Sequence, residues 1–544
     1  MKKIFFFIVF LASHIVFAEQ ITIGGTVSDS ASLVPIDSIL VEIINKENFS
    51  ERYSIYTNSL GKWSYTFQSN SVGSDNAIPN SFSLNQNYPN PFNPSTQISF
   101  SVHQSGSATL SVYNTLGQLL DSKTYEVNAG EYSVRWTSVG AAGALFYSLR
   151  FGNSVVTKKM IQLDGGNGGG LGDAVLTRGI VGTSTLNKIL SNNYLIRVSK
   201  LGYEPDSVSI SLSNNSNINF SLSTVHSRAF VIDLHNDIME LAVEGYQIGI
   251  RHTTNQSDLP RFRDGGVDAQ MISLWSSPTD FPTTSYQRVL QMADTFKVQS
   301  ERYSSMVAQA RTFSEIQSVV SAGKFAGIFG VEGGHSINDT LQYLINLYNL
   351  GARYLTITWN NSTSWAVSAA DAQSTTKGLS DFGKQVITTM DSLGMLIDVS
   401  HTGIKTIEDI LTVTKNPIIA SHSGCRALRN HTRNLTDDQI KAIAKSGGVI
   451  GVVFYTSFIS SAAANKVTVD TVIAHIDYIK NLVGIDYIAI GADYDGGITA
   501  PVGLENVSKM PNLTLALLKR GYSSADVKKI LGGNFMRVFK AVCK

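Results

Sequence analysis

Cysteine is nearly absent: Cys425 and Cys543 are the only two in 544 residues. At most one bridge can form, which excludes a disulfide scaffold, so the domains must hold together by core burial. Charge is sparse too. Charged residues make up 16% of the chain, the formal net charge is +1, and no basic cluster occurs. That excludes nucleic acid and an electrostatic membrane partner. No apolar run after the N-terminus is long enough to cross a bilayer, so no transmembrane span is expected in the mature chain. The length calls for two to four domains.

The N-terminus has the three parts of an export signal. Lys2 and Lys3 precede an apolar stretch from Ile4 to Ala12, and Val16-Phe17-Ala18 offers small-residue cleavage. We read residues 1–18 as a signal peptide and the chain as exported, with a periplasmic, extracellular or outer-surface location.

Short β-strands with Gly, Asn and Ser turns follow. Gly24-Gly25-Thr26-Val27-Ser28-Asp29, Ile39-Leu40-Val41-Glu42-Ile43-Ile44 and Thr57-Asn58-Ser59-Leu60-Gly61-Lys62-Trp63 resemble the first half of a carboxypeptidase regulatory-like sandwich. Its second half resembles Tyr194-Leu195-Ile196-Arg197-Val198 and Ile218-Asn219-Phe220-Ser221-Leu222. The expected module is therefore split, over 19–72 and 190–224, by an insertion in a loop. The insertion carries Asn87-Tyr88-Pro89-Asn90-Pro91-Phe92-Asn93-Pro94 and Val112-Tyr113-Asn114-Thr115-Leu116-Gly117. This resembles the immunoglobulin-like sorting domain of proteins exported by the type IX secretion system, over residues 78–163. Its internal position favours an adhesive or spacer role. Gly165-Gly166-Asn167-Gly168-Gly169-Gly170 reads as part of a flexible linker over 164–189.

From Arg228 the pattern becomes strictly alternating, strand then helix. Apolar strands end near Asp237, Trp275, Gly334, Trp359, His401, His422, Tyr455 and Asp495. Eight such units predict a (β/α)₈ barrel over 228–543, an α/β fold behind all-β sandwich modules. Helices are expected over 286–310, 379–393, 436–445 and 469–482. No Gly-x-Gly-x-x-Gly follows the first strand, which argues against a dinucleotide-binding open sheet.

Catalytic groups of such barrels lie at the C-terminal strand ends. His235 and Asp237 are two apart at the end of the first strand, so both project to one side. His-x-Asp alone also describes an ordinary polar strand end. Glu332, His401, His422, Asp493 and Asp495 at later strand ends change the weighing, because chance does not place three histidines and several carboxylates on one rim. They predict a divalent metal centre. Two ions fit better than one, since a carboxylate can bridge ions roughly 3.5–4 Å apart. No cysteine takes part, so this is no closed thiolate site.

Five stretches together resemble the membrane dipeptidase (renal dipeptidase) family of zinc metallopeptidases, an amidohydrolase-like barrel. They are Asp233-Leu234-His235-Asn236-Asp237, Gly330-Val331-Glu332-Gly333-Gly334-His335, Leu396-Ile397-Asp398-Val399-Ser400-His401, Ser421-His422-Ser423 and Gly491-Ala492-Asp493-Tyr494-Asp495-Gly496. The resemblance implies two Zn²⁺ per catalytic domain, one on His235 and Asp237, the other on His401 and His422, with Glu332 bridging. It implies Asp493 as catalytic acid/base and Arg433 as the grip on a substrate's terminal carboxylate. The implied reaction is attack of a metal-bridged hydroxide on the peptide bond of a dipeptide.

One position departs from the family. Its better-known members have a histidine after the fourth strand, where this chain has Trp359. Indole offers one N–H donor and cannot shuttle protons, so Trp359 is read as a pocket wall. His335 is expected to be an ordered loop residue or a support for Glu332. His226, His252, His431 and His475 are read as structural or solvated, Asp398 as a hydrogen-bonding residue, and Asp495 as packing behind Asp493. The runner-up activity is hydrolysis of another amide or ester, such as a β-lactam, an N-acyl amino acid or a lactone. A non-catalytic surface adhesion protein is the remote alternative. Surface attachment through the sandwiches and a homodimer complete the partner expectations.

Overall fold

A computed structural model describes residues 20–49, 51–68, 82–163, 165–179, 193–212 and 214–543. The expected signal peptide, residues 1–18, lies outside the described residues. The chain forms two compact units. Among the described residues, those of 20–28, 32–199 and 205–221 make up one, and those of 29–31, 200–204 and 222–543 the other.

The first unit is all β. Strands β1 (Gln20–Asp29), β2 (Leu40–Asn45), β3 (Arg52–Tyr56) and β4 (Lys62–Gln68) precede β5 (Ser83–Leu84), β6 (Ser95–Val102), β7 (Gly106–Tyr113) and β8 (Leu119–Val127). Then come β9 (Gly130–Gly140), β10 (Gly143–Phe151), β11 (Ser154–Gln162), β12 (Gly166–Gly179), β13 (Asn193–Ser199), β14 (Asp206–Ser211), β15 (Ser216–Asn217) and β16 (Phe220–Leu222). Strands β1, β4, β15 and β16 make one sheet, and β14-β13-β2-β3 another. Tyr53 and Tyr65 meet between them at 4.7 Å, and Phe67 and Tyr194 at 5.2 Å. The intervening strands form the sheets β11-β10-β7-β8 and β12-β9-β6-β5. Alternating inward residues, among them Phe100, Val134, Trp136 and Tyr147, fill the core between these two.

The glycine-rich run is not a linker over its first half. Gly166–Gly179 is an edge strand paired antiparallel with β9 and interrupted by register shifts. Its backbone pairs with β9 except where the register shifts. The glycines cost strand stability but let the edge bulge.

The second unit is a (β/α)₈ barrel. Its strands are β17 (Ile232–Asn236), β18 (Ala269–Trp275), β20 (Phe325–Glu332), β21 (Ala352–Thr356), β22 (Leu396–Asp398), β23 (Ile419–Ser423), β24 (Val449–Val452) and β25 (Ile488–Ile490). They pair in that order, all parallel, and β17–β25 and β18–β20 contacts close the ring. Every residue of β20 is buried, as expected for a strand covered on both faces. A ninth short strand, β19 (Val307–Gln309), pairs outside the ring with β20. It replaces the end of the helix expected over 286–310, which spans Ser285–Arg302. Ser304 and Ser305 follow, and serine side chains compete for backbone hydrogen bonds and so favour turns over helix.

The helices show their causes locally. In Asp381–Leu393, Ser380 caps the N-terminus by accepting from Gly383 N–H, and Gly394 ends it at φ 73°. Val386, Ile387 and Met390 form its buried face. Thr436 and Gln439 make a capping box for Asp437–Lys445, which buries Ile440, Ile443 and Ala444. Strand pairing ends earlier than the apolar pattern suggests. His401, Arg433 and Asp493 therefore lie on the loops that follow β22, β23 and β25.

Candidate metal centre

His235 sits in β17, and Asp237 follows it, held by Asp237 N–H donating to Tyr494 O at 2.9 Å. Glu332 ends β20. His401 and Asp493 both adopt left-handed backbone, at φ 63° and 67°. Non-glycine residues there cost of order 1–3 kcal/mol each, which the surrounding packing must hold. His235, Asp237, Glu332, His401, His422, Arg433 and Asp493 are all buried.

Their ligand atoms converge in overlapping trios: His235–Asp237–Glu332, Glu332–His401–His422, and His235–His422–Asp493, each within 4.8 Å. Glu332 belongs to the first two. One of its oxygens lies 3.5 Å from His235 Nε2; the other lies 2.9 Å from His401 Nε2 and 3.5 Å from His422 Nε2. His235 Nε2 is 3.4 Å from Asp237 Oδ2.

All three histidines use Nδ1 for support and leave Nε2 for the centre. His235 Nδ1 meets the Tyr354 hydroxyl at 2.8 Å, and His401 Nδ1 meets Asn360 Oδ1 at 3.0 Å. His422 Nδ1 meets Ser421 Oγ at 2.8 Å, and that hydroxyl donates to Asp398 Oδ2 at 2.6 Å. The network assigns the proton to Nδ1 in His401 and His422, so their Nε2 lone pairs face each other at 3.1 Å. Two bare nitrogens at that distance call for a cation between or beside them. His235 Nε2 and Asp237 Oδ1 are buried without a hydrogen-bond partner, which fits the same demand.

Electrostatics agree. Burial pushes His401 down to about 4, helped by the Arg433 charge, and pushes His422 well below the ordinary histidine range. Neutral imidazole is the ligand form. Burial opposes charge on His235, but the oxygen of Tyr354 and the carboxylates of Asp237 and Glu332 outweigh it, raising its pKa. Burial works against the Glu332 carboxylate, yet the facing histidines hold its pKa well below the usual range. Burial, reinforced by Asp237 and Glu332, raises Asp493 well above the carboxylate range. Burial and the same two carboxylates also push Glu240, one turn after Asp237, up to about 8.

Arg433 enters from the loop after β23. Its Nη2 donates to His422 O at 3.2 Å, and its guanidinium stands 5.4 Å from the Phe458 ring centroid. Nε and Nη1 are buried without partners. Trp359 is half-buried at the rim, its ring 6.1 Å from His401 and 5.0 Å from Trp275.

The remaining sequence candidates fall outside the cluster. His335 hydrogen-bonds Ser276 O through Nε2, and His252 bonds Gln247 O and stacks on Tyr246. His226 bridges Thr514 and Gly265 O, and His475 accepts from Cys425 N–H and meets Ile459 O. His431 packs on Phe458. Asp398 joins three strand ends, accepting from Thr356, Ser400 and Ser421. Asp495 is a loop clasp rather than a support for Asp493: it accepts from Gln256 N–H at 2.6 Å and from the Ser257 hydroxyl. Cys425 and Cys543 are both buried and free, so no bridge forms.

Sequence reasoning missed Tyr354, Asn360 and Ser421, which orient the histidines. One signal was available for Tyr354. Its register partner is Gly330, where an added Cβ would lie 2.1 Å from the tyrosine ring. Glycine there makes room for the ring that carries the hydroxyl to His235.

A closed parallel barrel with buried histidines and carboxylates converging at its C-terminal rim defines a metal-dependent hydrolase. The membrane dipeptidase model, peptidase family M19, matches residues 221–544, more than half of the chain. The chain belongs to that family and is a metallo-dipeptidase by class. Its barrel is similar to dipeptidase AC, a metallopeptidase of family M19, with 25% identity and a TM-score of 0.55 over 58% of this chain and 99% of that one. It is similar to a metallopeptidase from Rhodobacter sphaeroides solved with a phosphinate mimic of L-Ala-D-Ala, with 25% identity and a TM-score of 0.54 over 58% and 99%. An amidohydrolase from Pseudomonas aeruginosa gives 26% identity and a TM-score of 0.51 over 59% and 98%. A secretion-system C-terminal sorting domain model matches residues 86–162. Among the described residues no helix is long and apolar enough to cross a membrane.

Proposed function

We propose that this chain is an exported binuclear zinc dipeptidase that hydrolyses dipeptides with a free C-terminal carboxylate. The observation that carries the reading is Glu332, whose two oxygens face separate ligand trios. His235 and Asp237 with Glu332 would hold one ion, and His401 and His422 with Glu332 the other. Nitrogen and oxygen donors without thiolate suit zinc. Bound there, two divalent cations supply Lewis acidity, lowering the pKa of water and polarising the scissile carbonyl.

The protein's own residues supply the rest. Asp493, beside His235 and His422, takes the proton of the attacking water and returns it to the leaving amine. Arg433 keeps Nε and Nη1 unpartnered in a buried setting, where a charge-assisted hydrogen bond to a carboxylate is strong. A guanidinium fixed beside the ligand histidines places the scissile bond one residue from the chain end. Export rests on the signal-like residues 1–18 and on the match to a sorting domain.

The test is a dipeptide panel, including D-residues at the C-terminal position, assayed with and without chelator beside metal analysis of the purified chain. Two zinc per chain and chelator-sensitive dipeptide turnover are expected. Metal-free protein that hydrolyses nothing after zinc is restored would end the enzyme reading.

A further inference from the structure

We infer that Trp275 and Trp359 form the subsite for the side chain of the substrate's N-terminal residue and select an apolar, preferably aromatic, group. The assignment rests on the dipeptidase reading above and names the substrate class within it. Both indoles stand at the catalytic rim, Trp275 at the end of β18 and Trp359 three residues beyond β21. Trp136 and Trp365, by contrast, are fully buried core residues. The rim pair is only half-buried, with centroids 5.0 Å apart and planes inclined at 53°. Such an open aromatic corner offers two faces to one ring or branched side chain. Trp275 is the register neighbour of Glu332, and the Trp359 ring lies 6.1 Å from that of His401. The corner therefore adjoins the shared carboxylate and one ligand histidine.

Ring topology decides which end of a dipeptide meets it. In the closed order β17-β18-β20-β21-β22-β23-β24-β25, β23 stands diametrically opposite β18. Arg433 follows β23, and the ligand cluster lies between. A dipeptide with its carboxylate on Arg433 and its amide at the ligand cluster sends its N-terminal residue toward β18 and β21. The Trp275 Nε1–H, buried and unpartnered, is an unspent donor at that end. An indole at 359 thus trades a proton-transfer group for binding area.

The experiment uses the metal-loaded full chain and compares kcat/KM for Phe-Ala with that for Gly-Ala. A preference for Phe-Ala of about tenfold or more is expected, expressed mainly in KM. Trp275→Ala and Trp359→Ala should each bring the ratio toward one, while Trp359→Phe restores most of it. A merely structural role would depress both substrates together and leave the ratio standing. A phosphinate analogue of Phe-Ala supplies a readout without turnover: it should quench indole emission in the native chain, and less so in Trp359→Phe. A native ratio near one, or a ratio untouched in both alanine variants, overturns the subsite. Absence of any dipeptide turnover with both metals bound refutes the dipeptidase reading and the subsite with it.

Discussion

Arg433 offers the sharpest test of substrate class. It is buried, and two of its donor groups, Nε and Nη1, have no protein partner. Burial opposes its charge, while Asp493, Glu332 and Asp398 favour it. Guanidinium stays protonated in proteins, so a fixed cation with two unpartnered donors stands beside the histidine and carboxylate cluster. Hydrogen bonds involving a charged group contribute about 1.5–3 kcal/mol each, and losing one partner of a buried pair costs about 2–5 kcal/mol. Taking about 3–4 kcal/mol for the pair, Arg433→Met should lower kcat/KM for Ala-Ala by roughly two to three orders of magnitude. The same factor should separate Ala-Ala from Ala-Ala amide in the native chain, because the amide lacks the charge. The assay is a cycle of the two proteins with the two substrates. In Arg433→Met the free dipeptide and the amide should converge. Arg433→Lys should recover only part of the difference, since an ammonium is a single point charge. Arg433 also donates to His422 O, so the metal content of each variant must be measured beside activity. If Arg433→Met keeps its metal and loses equally on both substrates, the guanidinium does not read a carboxylate. The runner-up substrates, lactones among them, would then deserve the panel.

Other outcomes follow from the same geometry. Glu332→Gln should weaken both metal positions together, read as loss of metal by mass spectrometry, because its two oxygens face separate trios; one ion retained at full affinity would contradict the bridge. Tyr354→Phe removes the His235 Nδ1 partner and should cost about 10–100-fold in metal affinity or activity, with the barrel intact by circular dichroism. Asp493→Asn should lower kcat by about 10²–10⁴ with little change in KM if Asp493 moves the proton. His226 and His475 are buried as neutral bases with pKa values lowered chiefly by burial. Their contribution to stability is full above the unfolded value of about 6.5 and is lost as pH falls below it toward the folded values. The unfolding free energy from denaturant titration should therefore fall between pH 7 and pH 5, by up to about 1.4 kcal/mol per pH unit for each histidine. His226→Gln and His475→Gln should flatten that slope, and an unaltered slope would remove these two groups as its cause.

The barrel and the histidines and carboxylates gathered at its rim were legible because both are written in local pattern. Fully buried parallel strands read as apolar runs, and a residue at the end of each run has only the rim to occupy. That reasoning reached His235, Glu332 and His422 with no knowledge of distances. What it could not reach was set by partners far apart in sequence. Nothing near His235 announces that Tyr354 takes its Nδ1, because that contact depends on how β20 and β21 align, Gly330 against Tyr354. The glycine-rich run misled for a related reason. Composition reports conformational freedom, but pairing with β9 is a property of the sheet edge it meets. Asp495 shows the same limit at short range. Two residues from Asp493, it shares that residue's left-handed backbone, at φ 65°, yet its carboxylate turns to the loop at Gln256 and Ser257. Proximity in sequence placed it at the rim; the loop carrying Gln256 and Ser257 draws its carboxylate away from the cluster that Asp493 joins.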